Sequence, residues 1–318
     1  MPAVTVADLR DITAVRARVD LVEQDAVQLQ SMPLHARRVI VRLGSASVMA
    51  VSMNVRVRSR TIVQPGLVAY VAFGPRASGT VDGLPVRPGM MAAAGPCAEG
   101  RFVVDGGWKS VTVLLPPDEV HAHLAARGRA GEFHVPDGVE LLQVEDARSR
   151  ALFAWGERLA NVASRHPRAF EFPPERDAAR VEMIELLLNA LGKAHDLEPS
   201  RRDRTRRGYG GIVKIAEDHA LARVDDHVYV SDLCKAAAVS ERTLENAFRE
   251  VLGLSPVAYL TRLRLHRVRE ALLQSAPGTT TVTREASNWG FWHFGEFSRA
   301  YRDCFGERPS DTLRRQVT

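Results

Sequence analysis

The hydrophobic pattern of the first third of the chain consists of short apolar runs separated by turns that contain glycine and proline. The runs are VIVRL (39–43), SVMAVSMNV (47–55), LVAYVAF (67–73), RFVV (101–104) and WKSVTVLL (108–115). Turn sequences such as QPG, FGP, DGLP, RPG and DGG separate them. Many short strands at close spacing predict a small barrel or sandwich between Arg38 and about Leu115.

Beyond Pro116 the apolar residues change to helical spacing. DEVHAHLAARG (118–128) opens with acidic residues and ends at a glycine, as short helices do. Residues 146–166 and 174–195 carry apolar side chains at i, i+3 and i+4, which predicts two amphipathic helices. A helix pair beside a barrel is typical of core cover or of a dimer interface, and the pattern leaves both interpretations open.

Residues 197–209, LEPSRRDRTRRGY, contain five arginines and no apolar periodicity. A charged stretch of this kind predicts an exposed linker. Its positive charge also makes it a candidate for contact with phosphates.

From Gly210 onward the pattern is helical and repeats itself at an offset of 53 residues. The repeated positions are Leu244 and Phe297, Phe248-Arg249-Glu250 and Tyr301-Arg302-Asp303, Gly253 and Gly306, and Pro256 and Pro309. An aromatic residue, an arginine and an acid, followed by Gly and Pro at fixed spacing, indicate two copies of one structural unit.

Each copy is preceded by a shorter predicted helix and a turn, which together make a helix–turn–helix pattern. The predicted helices cover 230–238, 241–253, 255–274, 282–289 and 291–306. Ser240 and Ser255 stand where N-caps are favoured, and Pro256 takes the first helical position of the connecting helix. Gly290 supplies the positive φ of the second turn, whereas the first turn has alanines there and is expected to differ slightly.

The segment of about 210–318 strongly resembles the AraC/XylS family of bacterial transcription regulators. The resemblance rests on the double helix–turn–helix, Gly-x-Ser-Pro at 253–256, Arg264-Leu265, Gly-Phe at 290–291 and FSRAYRDCFGERPSDTLR at 297–314. It implies two heads that read major grooves roughly 10 base pairs apart and are joined by a rigid helix.

Recognition helices place their N-terminal side chains against base edges, while flanking groups hold phosphates. In the first head the candidate DNA contacts are Ser240, Glu241, Arg242, Thr243, Glu245, Asn246 and Arg249. In the second head they are Trp292, His293, Glu296, Arg299 and Arg302. Arg242 and Asn246 can make paired hydrogen bonds to guanine and adenine respectively.

The charge distribution agrees with a polyanion as the partner of this segment. Residues 1–200 hold 23 Lys and Arg against 23 Asp and Glu, whereas residues 201–318 hold 20 against 15. The net charge of +5 therefore lies in the last third of the chain, and such a basic module favours nucleic acid.

The remaining composition predicts a location in the reducing cytoplasm. Cys97, Cys234 and Cys304 are odd in number and far apart, which argues against a disulfide framework. No apolar run approaches the roughly 20 residues that span a bilayer, and the N-terminus lacks the features of a signal peptide. We therefore expect no membrane contact.

In the AraC/XylS family the variable partner domain is commonly a cupin-like barrel that senses an effector or mediates dimerisation, and the strands of 38–115 followed by two helices look like that arrangement. The predicted fold is therefore α+β and multidomain, with a cupin-like β-barrel and flanking helices in 1–196, a linker in 197–209 and an all-α double helix–turn–helix in 210–318. The resemblance implies double-stranded DNA, RNA polymerase and a small-molecule effector as partners, and a homodimer. The sign of regulation stays open.

The segment NVRVRSRT (54–61) places Arg56, Arg58 and Arg60 at alternate positions. In a strand these three side chains share one face, and the planar guanidinium group suits phosphate or carboxylate. We therefore hypothesise that the row is an anion clamp for the effector.

Arg56 and Arg60 also make an R-x-x-x-R spacing, which resembles the arginine pair of PilZ-type cyclic di-GMP receptors, although the companion D/N-x-S-x-x-G motif is absent. Tyr70, Phe73 and Arg76 on LVAYVAFGPR are further candidate ligand contacts. Other interpretations stay open: a solvated outer face or a DNA or partner contact for the arginines, and barrel core for the two aromatic residues.

Metal and enzyme sites are weaker predictions. His121-x-His123 is similar to the His-x-His of metal-binding cupins, but residues two apart on a helix do not share a face and the acid that follows in that family is missing. Cys97 in GPCAEG is the candidate for an alternative class, a DNA-repair or other enzyme fused to this DNA-binding module, yet no neighbouring cation would activate it as a thiolate. We expect no metal, no cofactor apart from an effector, no catalytic residue and no enzyme.

Overall fold

The computed structural model has a sheet-rich N-terminal region followed by a helical C-terminal region. It describes residues 2–15, 20–129, 133–192, 194–197, 200–223, 228–276 and 278–315. The predicted change from strands to helices along the chain is confirmed.

The described strands pair in antiparallel fashion and form two sheets. In chain order they are β1 (Val4–Leu9), β2 (Val22–Gln28), β3 (Ala36–Leu43), β4 (Ala46–Met53), β5 (Val57–Val63), β6 (Val68–Phe73), β7 (Gly79–Val81), β8 (Leu84–Pro85), β9 (Met90–Ala94), β10 (Glu99–Val104), β11 (Trp108–Leu115), β12 (Val139–Gln143) and β13 (His195–Asp196). The larger sheet has the order β1-β3-β4-β11-β6-β9-β12-β13, and the smaller one β2-β5-β10-β7-β8. All five predicted apolar runs lie on these strands.

The two sheets face each other across a buried core. Phe73 and Trp108 of the larger sheet pack in one cluster with Val57 and Val104 of the smaller sheet. Within the described residues both sheets are open, since each ends in edge strands. The arrangement is therefore an open sandwich, and the predicted closed cupin-like barrel is not confirmed.

The helices predicted from apolar spacing are present with ends that differ by up to four residues. In chain order the described helices are α1 (Ile12–Val15), α2 (Pro117–Ala125), α3 (Asp146–Arg165), α4 (Pro173–Leu191), α5 (Arg201–Ala222), α6 (Val230–Ala237), α7 (Glu241–Leu252), α8 (Pro256–Gln274), α9 (Val282–Asn288), α10 (Phe294–Phe305) and α11 (Pro309–Arg314), with a 3₁₀ helix at Pro167–Glu171. Of these, α1, α11 and the start of α5 were not predicted. Helices α3 and α4 cover the outer face of the larger sheet, where Leu152 and Met183 join the cluster that contains Tyr70.

The stretch predicted as a linker, 197–209, is helical from Arg201 and begins α5. Ser200 caps this helix, because its Oγ accepts the Asp203 N–H at 3.2 Å and Asp203 accepts the Ser200 N–H in return. Arg87 of the sheet region pairs with Asp203 at 2.7 Å. These contacts turn a stretch whose charge pattern indicates a tether into an ordered helix that packs against α6 and α7.

The double helix–turn–helix is present as α6–α7 and α9–α10, joined by α8. Gly290 has the expected positive φ of 76°, and in the first turn Ala238 adopts a left-handed conformation with φ 51°. Ala238 lies three residues before Glu241, where α7 begins, while Gly290 lies four residues before Phe294, where α10 begins. The two turns therefore differ by one residue, and the first one contains an alanine in a region that favours glycine.

Ala238→Gly is expected to stabilise the protein by up to about 1 kcal/mol, because an L-residue costs about 1–2 kcal/mol in the left-handed region and the gain is reduced by the larger entropy of glycine in the unfolded chain. The neighbouring Ala237→Gly is the matched control, since residue 237 ends α6 and glycine there should destabilise by about 0.5–1 kcal/mol. Urea denaturation of the full chain measures both. Effects of the same sign would contradict the assignment of strain to residue 238.

Candidate nucleic-acid interface

Helix α7 buries one face in the core of the first helix–turn–helix and leaves the other face to solvent. Ser240 caps its first turn, where its Oγ accepts the Thr243 N–H at 3.2 Å. Leu244, Phe248 and Val251 are buried in a cluster with side chains from α5, α6 and α8. The apolar spacing of the sequence therefore orients the polar side chains of α7 outward.

The predicted DNA contacts of α7 all lie on this outward side. Exposed or half-buried residues are Ser240, Glu241, Arg242, Thr243, Glu245, Asn246 and Arg249. Arg249 Nε donates to Glu245 Oε1 at 2.6 Å, so these two partly neutralise each other. Arg242 and Asn246 form no hydrogen bond or ion pair within the described part of the chain, which leaves both side chains available for base edges.

Helix α10 presents the second set of predicted contacts. Phe297 and Tyr301 are buried in the second head, while the exposed residues are Trp292, His293, Glu296, Arg299 and Arg302. Trp292 is 69% exposed although it is a large apolar residue. An exposed indole beside a recognition helix can make apolar contact with a thymine methyl group.

One cationic residue of this surface escaped the sequence analysis. A groove of about 580 Å³ beside α10 is bordered by Arg299, Arg302 and Arg308. Arg308 lies outside the recognition helix, directly before Pro309 of α11, and pattern alone gives it no role. Three arginines on one groove suit the oxygens of a phosphate backbone.

Helix α8 belongs to the cores of both heads. Tyr259 and Leu260 pack in the first head, and Leu265, Val268 and Leu272 pack in the second. One helix that is buried at both ends fixes the spacing of the two recognition helices.

Arg58, the middle residue of the arginine row, lies on β5, and its side chain contacts helix α5. Its side chain is 1% exposed, and its Nη2 donates to Glu217 Oε2 of α5 at 2.6 Å. The hydroxyl of Tyr259 on α8 donates to the other oxygen of Glu217 at 2.5 Å. Burial opposes the charge, but the carboxylate of Glu217 raises the pKa of Arg58 above its usual value. We call Arg58, Glu217 and Tyr259 the buried triad.

Other residues of the sheet region contact the C-terminal ends of both recognition helices. Arg56 Nη2 lies 3.4 Å from the Val251 carbonyl near the end of α7, and a Cβ on the neighbouring Gly253 would lie 2.9 Å from Arg56 Nη1. Gln28 Nε2 donates to the Cys304 carbonyl of α10 at 2.8 Å. The ends opposite to the predicted DNA contacts are therefore held by the N-terminal region.

A second buried arginine, Arg269 of α8, ties the second head to the start of the chain. Its Nε donates to Asp11 at 2.8 Å, its Nη1 pairs with Glu307 at 2.8 Å, and its guanidinium group lies 4.6 Å from the ring centre of Phe305. Burial raises the pKa of Tyr301, which shares this network, to about 12. No sequence motif pointed to Arg269, because its partners are far away along the chain.

The remaining residues proposed as ligand contacts do not meet in one site. Arg60 Nε donates to Glu99 at 2.6 Å, while Arg76 is exposed on a turn. Tyr70 faces α3 and α4, and Phe73 packs against Trp108 between the sheets. Alternation along a strand placed the arginines on one face, but it could not show that Tyr70 points to the opposite side of the sandwich.

The space between the two sheets contains a cavity of about 90 Å³ with a mostly apolar lining that includes Met49, Val71 and Phe102. A cavity of this size and chemistry has room for a few water molecules or a small apolar group. The arginine row lies on the outer side of the smaller sheet and does not line it.

The residues considered for metal or enzyme chemistry have other surroundings. His123 lies on α2 and pairs with Glu185 at 2.8 Å, while His121 packs edge-on against Phe133. No group of three or more His, Cys, Asp and Glu side chains in the described ranges is arranged to hold a metal ion. Cys97 is exposed in a turn with φ 61°. Among the helices that the structure describes, none has the length and apolar composition to cross a bilayer.

A family model matches part of the C-terminal region of the chain. Residues 233–315 match the family model described as helix-turn-helix domain. A probable thc operon regulatory protein of Rhodococcus erythropolis is 34% identical over 134 residues, which are 42% of this chain and 40% of that protein. A XylDLEGF operon transcriptional activator of Pseudomonas putida is 35% identical over 103 residues, which are 32% of this chain and 31% of that protein.

A solved structure of a probable AraC family transcriptional regulator from Rhodopseudomonas palustris is 36% identical to this chain. The alignment covers 32% of this chain and 94% of that one, with a TM-score of 0.30. The match to the two curated relatives spans well under half of their length.

Arg242→Ala is expected to weaken binding to a selected DNA site by about 1–3 kcal/mol while binding to random DNA of equal length is retained, because a base contact carries sequence information and a phosphate contact does not. Fluorescence anisotropy with both duplexes at one salt concentration measures the two affinities. Arg308→Ala is the control, since a phosphate-contacting arginine should weaken both complexes equally. An equal loss on both duplexes for Arg242→Ala would show that it does not read a base.

Proposed function

We propose that this chain is a sequence-specific DNA-binding transcription regulator, with a helix–turn–helix domain of the AraC type at residues 233–315. The observation that carries the proposal is the orientation of the two recognition helices. Their N-terminal side chains, including Arg242 and Trp292, are exposed, while their C-terminal ends are packed against the rest of the chain. This is the presentation that major-groove reading requires.

The proposal extends to the partners of such a regulator. Double-stranded DNA is the first partner, and RNA polymerase and a second copy of the chain complete the active assembly in the cytoplasm. We propose an activator, because a similar protein of Pseudomonas putida is named a transcriptional activator. We propose no catalytic role, since the similar proteins are regulators and Cys97 lies alone in an exposed turn.

We propose that an effector controls the heads through the interface between the sheet and the helices. The buried triad joins β5, α5 and α8, so a shift of the sheet relative to α5 also changes the support of α8. An effector that favours one of two arrangements of this interface changes how the two heads are presented, as a population shift.

The effector of this proposal is an anionic small molecule. Cyclic di-GMP was suggested by the spacing of Arg56 and Arg60, but these two side chains lie beside Asp105 and Glu99 respectively. Arg56 and Arg60 thus already form ion pairs within the chain. Ligand binding by these two arginines would require both ion pairs to break. We therefore keep the anionic class and do not favour cyclic di-GMP within it.

Selection of random duplexes by the full chain is expected to enrich two short sequence blocks whose centres are roughly 10 base pairs apart, because the two heads on one face of the duplex meet successive major grooves. Footprinting of a selected duplex should show two protected segments at that spacing. A selection that yields no enriched sequence would overturn the proposal of a sequence-specific regulator.

The buried triad gives a second test. Arg58→Ala is expected to destabilise the full chain by about 3–5 kcal/mol, because it leaves the buried carboxylate of Glu217 without its cation. The triple variant Arg58→Met, Glu217→Leu, Tyr259→Phe removes all three polar groups together and should lose much less. Urea denaturation measures both.

Arg60→Ala is the matched control on the same strand. Its ion pair with Glu99 is partly exposed, so its loss should cost at most about 1 kcal/mol. If Arg58→Ala cost no more than Arg60→Ala, the triad would not hold the sheet to the helices.

A further inference from the structure

A groove of about 340 Å³ runs between the outer face of the smaller sheet and helix α5. We propose that this groove binds a small organic phosphate, with the phosphate held by cations from both walls. The regulatory consequence rests on the proposed function, whereas the binding itself does not.

The helix wall of the groove contributes Arg207 and Lys214. They lie seven residues apart, which is two turns of α5, so both side chains project from the same side of the helix. Both are exposed, and neither forms an ion pair with another described residue. Their charges are therefore available to a ligand.

The sheet wall contributes Arg58 and Arg101. The Nε atom of each is buried and has no hydrogen-bond partner among the described residues, and the same is true of Thr80 Oγ1 on this wall. Buried donors without acceptors are rare in native proteins and call for an explanation. An anion in the groove would supply acceptor oxygens to these groups if their side chains turned toward it.

The acidic residues of the groove either pair with arginines of the chain or have a raised pKa. Glu217 accepts from Arg58 and Tyr259, and Glu99 pairs with Arg101 at 2.7 Å. Asp82 accepts the Arg101 N–H at 3.1 Å, and burial raises its pKa. Asp82 interacts electrostatically with Arg207 and Lys214, and Glu99 with Lys214, so the acids offset part of the charge of these two exposed cations.

The floor of the groove is apolar and suits the organic part of such a ligand. It is formed by Val103, Val139, Val213 and Leu252, and a Cβ on Gly211 would meet nothing within 4 Å. A volume of about 340 Å³ lies at the lower end of the usual range of ligand pockets. The site therefore fits a compact phosphate monoester in preference to a dinucleotide.

The position of Arg58 connects this groove to the DNA-reading heads. Arg58 lines the groove and at the same time donates to Glu217 in the buried triad. A phosphate that accepts from Arg58 Nε would compete electrostatically with the carboxylate of Glu217 for the same guanidinium group. Binding would then weaken the link between the sheet and α8, which supports both heads.

Calorimetric titration of the full chain with phenyl phosphate tests the site, since this probe joins a phosphate dianion to an apolar ring. We expect binding by the unmodified chain, at least about tenfold weaker binding by Arg207→Ala/Lys214→Ala, and no detectable binding of phenol at the same concentrations. Both replaced side chains are exposed, so the unfolding midpoint should be unchanged.

Arg158→Ala/Arg165→Ala is the matched control. It removes the same charge from exposed positions that lie seven residues apart on α3, and it should bind phenyl phosphate as the unmodified chain does. Equal weakening by the two double variants, loss in the control alone, or absence of phenyl phosphate binding up to about 10 mM would each overturn the proposed site.

DNA affinity measured with and without phenyl phosphate separates this inference from the proposed function. Binding in the groove together with a changed DNA affinity supports both. Binding in the groove by a chain that selects no DNA sequence would keep the phosphate site and refute the proposed function. Sequence-specific DNA binding by a chain that takes no phenyl phosphate would refute the site and keep the regulator.

Discussion

The carboxylate of Glu217 is the contact on which the arrangement of the two halves of the chain depends. It lies on α5, receives Arg58 from the N-terminal sheet on one oxygen, and receives Tyr259 from α8 on the other. Removing a carboxylate and a guanidinium from water is costly, and only close geometry with saturated partners offsets that cost. Such a contact adds little net stability, but separating Arg58 from Glu217 would leave buried charges unpaired, so the contact favours this placement of the sheet relative to the helices.

Two further sets of contacts also join the N-terminal region to the helices. Val27 and Val103 of the smaller sheet and Leu29, which follows β2, share a core with the first head, and Asp11 pairs with Arg269 in the second head. The predicted DNA contacts at the N-terminal ends of α7 and α10 are exposed or half-buried. In the proposed regulator the presentation of the two heads can therefore change without covering these residues.

The helices of the second half could be predicted from the sequence because their signals are local. Apolar spacing, serine caps and the turn glycine all act within a few residues. The observed bounds of α7 and α8 agree closely with the prediction, while α10 begins three residues later than predicted. Whether the strands closed into a barrel could not be predicted, since closure depends on pairing between distant strands. The start of α5 was missed because its arginine-rich sequence resembles a tether, and its order comes from the Ser200–Asp203 cap and from Arg87.

For the candidate site, too, some features could be predicted from the sequence and others could not. The sequence by itself determined which residues of the recognition helices face outward and that Arg58 and Arg60 share one face of a strand, because both follow from backbone periodicity. Only the tertiary structure decided what each arginine does. The strand register places Arg58 between Val27 and Val103, under the helices, where it meets a carboxylate 159 residues further along the chain. Arg60, two residues later, lies between Asp25 and Arg101 at the edge of that contact. The role of each cation is set by what is packed over it, and that information is distributed along the whole chain.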